Sequence, residues 1–125
     1  MYVIDSNIII EFFNDTELSK KALKLCNDEK ALTTSICQHE ILAGARTERE
    51  IFIFSNLFNG FEILEHNTKS AFFSSGIYRD LKNRGKMIGD MDILIAGICR
   101  ANNATLITLD KDFEKINGLD VKIVK

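Results

Sequence analysis

Tyr2-Val3-Ile4-Asp5-Ser6-Asn7-Ile8-Ile9-Ile10 opens the chain and frames the reading of everything after it. Tyr2–Asp5 is a short β-branched run and reads as a strand, while the apolar-dense Asn7–Asn14 reads as a short helix. Asp5 sits at the junction with apolar residues on both flanks, and no Lys or Arg lies close to it in sequence. A buried carboxylate without a partner is costly. The first ten residues therefore suggest a strand-to-helix turn carrying an acid that needs a counter-charge.

The same alternation continues. Thr16 is placed to cap a helix over Glu17–Asn27, Ala31–Thr34 is a second strand, and Ser35 is placed to cap a helix over Ile36–Ala45. Glu48–Asn59 is helical and stops at Gly60, Phe61–Leu64 is a third strand, and a long helix runs from Thr68 to Arg84 and stops at Gly85. Asp90–Asn102 is apolar around most of its circumference, as expected of a helix packed on more than one side. Ala104–Thr108, a short helix Lys111–Ile116 and the strand Val121–Val124 complete the chain. Strands separated by helices imply parallel pairing through right-handed crossovers, hence a three-layer α/β/α sandwich.

With 125 residues, no Pro and no internal repeat, the chain reads as one domain, residues 1–125. Hydrophobic residues make up 46% and charged residues 27%, ordinary for a soluble fold. No apolar run approaches a membrane span and the N-terminus lacks a signal-peptide pattern, so no membrane partner and a cytoplasmic location are expected. Cys26, Cys37 and Cys99 are an odd set without metal-ligand spacing and read as small buried hydrophobes. The net charge of -2 runs against a protein that binds nucleic acid by neutralising phosphates, so such a reading has to locate the negative charge.

The acids supply that location. Asp5 and Asp110 fall at or just past the carboxyl ends of strands, the edge where open parallel sheets bind ligands. Glu40 lies one turn into the helix leaving that edge, and Asp92 lies in the first turn of the helix before the fourth strand. Singly, each has an ordinary explanation as a turn, helix-end or solvated residue. Together, two of them inside apolar runs point to a divalent cation as shared partner. Several carboxylates with room for water suit Mg2+ or Mn2+. Such a site ionises water and stabilises a phosphodiester's developing charge. The ion also turns a negative site into a phosphate receptor.

Four stretches then resemble, in order, the motifs of PIN-domain ribonucleases, most closely those of VapC-type toxins: Val3-Ile4-Asp5-Ser6-Asn7; Thr34-Ser35 with Glu40-Ile41-Leu42-Ala43-Gly44; Ile88-Gly89-Asp90-Met91-Asp92-Ile93; and Thr105-Leu106-Ile107-Thr108-Leu109-Asp110-Lys111-Asp112-Phe113. The resemblance covers essentially the whole chain. It implies a five-stranded parallel sheet of order 3-2-1-4-5 and a metal-dependent endoribonuclease. It further implies Asp5, Glu40, Asp92 and Asp110 as catalytic, metal-binding acids, with Asn7, Ser35 and Thr108 orienting them or the water. Asp90 and Asp112 stay outside that set. A cognate antitoxin that covers the groove and a homodimer are also implied.

Arg46, Arg49, Lys82, Arg84 and Lys86 are candidates to line an RNA groove, against the alternative of solvated helix ends. His39 and His66 read as structural or exposed. Phe12, Phe13, Phe52, Phe54, Phe58, Phe72 and Phe73 exceed what one helix face buries, so some are expected in an antitoxin or dimer contact. A haloacid-dehalogenase-like phosphatase needs an acid where Asn7 stands, and a response-regulator receiver needs an acid pair after the first strand that is absent. A PIN-like scaffold without activity is the non-enzymatic alternative. Clustered acids also lead us to expect that Asp5→Asn is at least as stable as the native chain in chelator.

Overall fold

The computed structural model describes all of residues 1–125. Its strands are β1 Tyr2–Ile4, β2 Ala31–Thr34, β3 Glu62–Leu64, β4 Thr105–Thr108 and β5 Asp120–Ile123. They form one sheet of order β3-β2-β1-β4-β5 in which every pairing is parallel. Val3 lies opposite Leu32 on one side and Leu106 on the other, so β1 is flanked by β2 and β4 at the point where strand order reverses. The helices are α1 Ser6–Phe13, α2 Glu17–Leu25, α3 Ser35–Ala43, α4 Glu48–Leu57, α5 Thr68–Arg84 and α6 Asp90–Ala101. The expected sandwich and strand order are both present. No helix is long and apolar enough to cross a membrane.

Local chemistry explains most boundaries. Thr16, Thr47 and Asn67 cap α2, α4 and α5 by accepting from Ser19 N, Glu50 N and Ser70 N at 3.2, 3.1 and 3.0 Å. Thr34, not Ser35, caps α3: its hydroxyl accepts from Cys37 N at 3.0 Å while its backbone is still strand-like. One residue ends the strand and starts the helix, leaving Ser35 as the first helical residue. Gly85 ends α5 at φ +65°, with Gly85 N bonded to Lys82 O and Lys86 N to Leu81 O. That left-handed turn lets Lys86–Gly89 carry the chain across, so α6 begins beside the carboxyl ends of β1 and β4.

The core is built from the central strands and the helices that follow them. Val3, Ile4, Leu106 and Ile107 are fully buried, as are Ile8 and Ile9 of α1 and Ile95 and Ile98 of α6. The apolar circumference of α6 is accounted for by its long contact with α5 in addition to the sheet. The two helices approach so closely that a Cβ added to Gly97 would lie 2.6 Å from Ser74 Cβ and 2.9 Å from Ser74 backbone atoms. Cys26, Cys37 and Cys99 are all buried and unpaired. By contrast α4 buries none of its residues, and its continuation Glu48–Asn59 is broken: a 3-10 turn, Phe58–Gly60, follows Leu57 and inserts Phe58 into the core. Lys111–Lys115 is likewise a 3-10 turn rather than a regular helix.

Candidate active site

Asp5 stands where β1 becomes α1. Its N–H bonds to Ile107 O at 3.0 Å, continuing the ladder with β4, while its own C=O accepts from Ile8 N and Ile9 N and starts the helix. It is thus the N-cap of α1 rather than the last strand residue, and it is only 3% exposed. Every part of its carboxylate is engaged. Oδ1 accepts from Ser6 N at 2.8 Å and from Cys37 Sγ at 3.8 Å. Oδ2 accepts from Thr108 Oγ1 at 2.6 Å and from Asn7 Nδ2 at 3.2 Å. Asn7 in turn accepts from Leu109 N at 3.3 Å, and Thr108 Oγ1 accepts from Asp110 N at 3.1 Å.

Glu40 reaches the same place from α3, where Ser6 Oγ donates to its Oε1 at 3.2 Å. Asp5, Cys37 and Glu40 each offer a ligand atom within 4.8 Å of the others'. Asp92, in the first turn of α6, stands further back but close enough for its charge to be felt by the group. Asp110 is half-buried and is partly used locally, its Oδ1 accepting from Asp112 N at 2.8 Å. The sheet therefore gathers Asp5 and Glu40 tightly, with Asp92 and Asp110 as a looser second pair.

The electrostatics of the group are those of acids lacking a counter-charge. Burial, and then the charges of Asp5, Asp110, Glu40 and Asp112, push the Asp92 carboxyl up to about 7. Burial raises Glu40 too, with the Asp5 charge adding to it. Asp5 is raised by burial against the opposing hydrogen bonds from Thr108, Ser6 and Cys37. The ion pairs of the chain lie elsewhere, at Met1–Glu29, Lys20–Glu17, Arg84–Asp80 and Lys115–Asp112. Burial and the neighbouring Asp5 push the Cys37 thiol up to about 12, so it faces Asp5 as a weak donor rather than a thiolate ligand. What remains for a cation is a hard, all-oxygen donor set. Those donors fit a small divalent ion that keeps part of its water shell.

The other sequence-derived candidates divide. Asn7 and Thr108 touch Asp5, whereas the hydrogen bonds to Asp5 and Glu40 come from Ser6, Asn7, Cys37 and Thr108 and none from Ser35. Arg84, at the surface, is tied to Asp80 at 2.6 and 2.9 Å and to Lys115 O at 2.7 Å, so its guanidinium is engaged by partners within the chain. Arg46, Lys82 and Lys86 are exposed, with the Lys82 ammonium 5.9 Å from the Tyr78 ring centre. Asp112 pairs with Lys115 at 3.0 Å, and Asp90 is exposed. His39 is exposed, and His66 Nε2 lies 3.2 Å from Ser74 Oγ. Phe58 is core, while Phe13, Phe52 and Phe72 are 48%, 68% and 73% exposed. Ser6 and Cys37 are contacts that the sequence reading missed. The Ser-Asn pair after Asp5 was visible, but only the packing of α3 against α1 shows that Ser6 meets Glu40. A groove of about 260 Å³ lined by Ser6, Asn7, Ile10, Glu40, Ile41, Gly44 and Phe54 opens beside the acids.

A family model described as PIN domain matches residues 2–119. The chain belongs to the PIN-domain family. Ribonuclease VapC3 of Methanocaldococcus jannaschii is 32% identical over 96 residues, covering 77% of this chain and 95% of that protein, and sets the chain among the VapC relatives. The tRNA(fMet)-specific endonuclease VapC of Shigella flexneri is 24% identical over 123 residues, covering 94% of this chain and 93% of that protein. In solved structures the fold recurs in VapBC2 from Rickettsia felis bound to a DNA fragment from their promoter. The TM-score is 0.84 at 24% identity, over 99% of this chain and 98% of that one.

Proposed function

We propose that this chain is a divalent-metal-dependent endoribonuclease, using Mg2+ or Mn2+, and the toxin of a VapBC-type pair acting in the cytoplasm. The observation that carries the reading is Asp5: buried, within a 4.8 Å cluster with Glu40, and paired with no cation of the protein. In this reading Asp5, Glu40, Asp92 and Asp110 hold the ion and its water, while Asn7 and Thr108 fix the direction of the Asp5 carboxylate. Ser35, the first residue of α3, is proposed to orient these acids or the water.

A bound divalent ion supplies positive charge to the scissile phosphate and lowers the pKa of an attacking water. The residues of the chain do the rest. Asp92, half-buried in the first turn of α6 beside the other acids, is proposed to help hold the ion and orient that water. Arg46, Lys82 and Lys86 are exposed cations able to meet the RNA backbone on either side. An antitoxin segment covering the 260 Å³ groove would shut off Glu40. Exposed Phe13 and Phe52, beside Ile51 at 47% exposure, are proposed as part of the surface that the antitoxin or a second copy of the chain covers.

The test is cleavage of purified transfer and ribosomal RNA with Mg2+, with Mn2+ and with chelator, by the native chain and by Glu40→Gln. Metal-dependent cleavage lost in the variant supports the reading. Metal binding without cleavage of any RNA would favour the non-catalytic scaffold.

A further inference from the structure

We propose that Ser6 is the positioning residue that holds Glu40 in register with Asp5, a role that rests on the metal-dependent nuclease reading. Ser6 is the first residue of α1, and it contacts both acids at once. Its N–H donates to Asp5 Oδ1 at 2.8 Å and its Oγ donates to Glu40 Oε1 at 3.2 Å. No other residue bridges β1's acid to α3's acid with two donors.

The two acids differ in how they are held. Asp5 is short, 3% exposed and held by donors from Ser6, Asn7 and Thr108, with the Cys37 thiol as a longer contact at 3.8 Å. Its position is over-determined. Glu40 has one more rotatable bond, lines an open groove, and receives its side-chain hydrogen bond from Ser6. Like charges at this range repel, so Glu40 left to itself would swing from Asp5 toward solvent. The Ser6 hydroxyl opposes that swing, and its direction is fixed because the Ser6 backbone is pinned by Asp5 itself. The helix start that buries Asp5 is thereby also the device that aims Glu40.

The consequence is specific. Removing the hydroxyl leaves Asp5, the α1 start and the core intact, and releases Glu40. Ser6→Ala, Ser6→Thr and the native chain are compared by Mn2+ titration followed through melting temperature, and separately by RNA cleavage. For Ser6→Ala, the expected result is a Mn2+ midpoint raised about tenfold, the loss of one hydrogen bond to a charged group. The metal-free melting temperature stays within about 2 °C of native. Cleavage falls in kcat with KM for RNA unchanged, and Ser6→Thr, which keeps the hydroxyl, recovers the native midpoint. An unchanged midpoint in Ser6→Ala overturns the proposal, and so does a Ser6→Thr chain that behaves like Ser6→Ala. If the native chain itself shows no metal-linked rise in melting temperature, the nuclease reading falls and this role falls with it.

Discussion

Thr108 Oγ1 donates to Asp5 Oδ2 at 2.6 Å across 103 positions of sequence. That contact ties the carboxyl ends of β1 and β4 together and fixes the acid on which the site is built. Thr108 is fully buried, and its oxygen also receives Asp110 N at 3.1 Å, so one hydroxyl joins two of the acids.

Replacing it tests how much the network contributes. Thr108→Val keeps the shape and removes the donor from Asp5 and the acceptor from Asp110 N. We expect a loss of about 2 kcal/mol in urea unfolding, the cost of leaving buried polar groups short of partners. Thr108→Ser should lose less than half of that, since it keeps the hydroxyl and gives up only a methyl group.

The α5–α6 contact is a second structural test. A Cβ on Gly97 would sit 2.6 Å from Ser74 Cβ and 2.9 Å from Ser74 backbone, and backbone cannot swing aside as a side-chain end does. Gly97→Ala should therefore destabilise by about 3 kcal/mol despite its higher helix propensity. Chemical denaturation measures it, and a neutral substitution would show that the helices separate freely.

In chelator, stability should fall as pH rises. The Asp92 carboxyl is held up to about 7 and Asp5 and Glu40 are also raised, whereas in the unfolded chain such groups release their protons near pH 4. Between those limits the folded state binds more protons than the unfolded state, so the unfolding free energy declines with pH through the window and levels off above it. Asp92→Asn removes one source of the decline. It should be about as stable as native at pH 4.5 and more stable at pH 8, by on the order of 1 kcal/mol, because Asp92 is only half shielded from solvent. A native chain with no such slope would contradict the cluster's mutual repulsion.

Asp5→Asn is the less informative variant, contrary to the expectation from the acids' clustering alone. The Asp5 carboxylate accepts on both oxygens, so an amide would turn an NH2 toward one pair of donors. We expect it to be less stable than native in chelator, as well as inactive. Circular dichroism melts of Asp5→Asn and Asp92→Asn side by side would separate the two effects.

Much of this architecture is legible in the residues themselves. The alternation of short β-branched runs with capped, apolar-faced helices gives the sandwich, and the PIN-like motifs give the strand order. The departures have local physical reasons. Thr34 displaced Ser35 as a cap because a residue can finish a strand while its side chain already receives a helix N–H. Glu48–Asn59 reads as one helix stopping at Gly60, yet α4 ends at Leu57 with no residue fully buried; Phe54 and Leu57 pack against the edge of the core and Phe58 enters it from the turn beyond. At the site, acids stand out in apolar sequence, but which hydroxyl meets which acid depends on helix-to-helix packing. The Ser6–Glu40 and Cys37–Asp5 contacts are results of that packing, whereas the Arg84–Asp80 pair is an i,i+4 contact within α5.

Convergence of the acids on one divalent ion is what the functional account depends on. Calorimetric titration of Mn2+ into the native chain, Glu40→Gln and Asp92→Asn at pH 7.5 measures it directly. Saturable binding to the native chain, weakened about tenfold or more in each variant while both remain folded, is the predicted result. Equal binding by all three, or none by the native chain, would contradict the account.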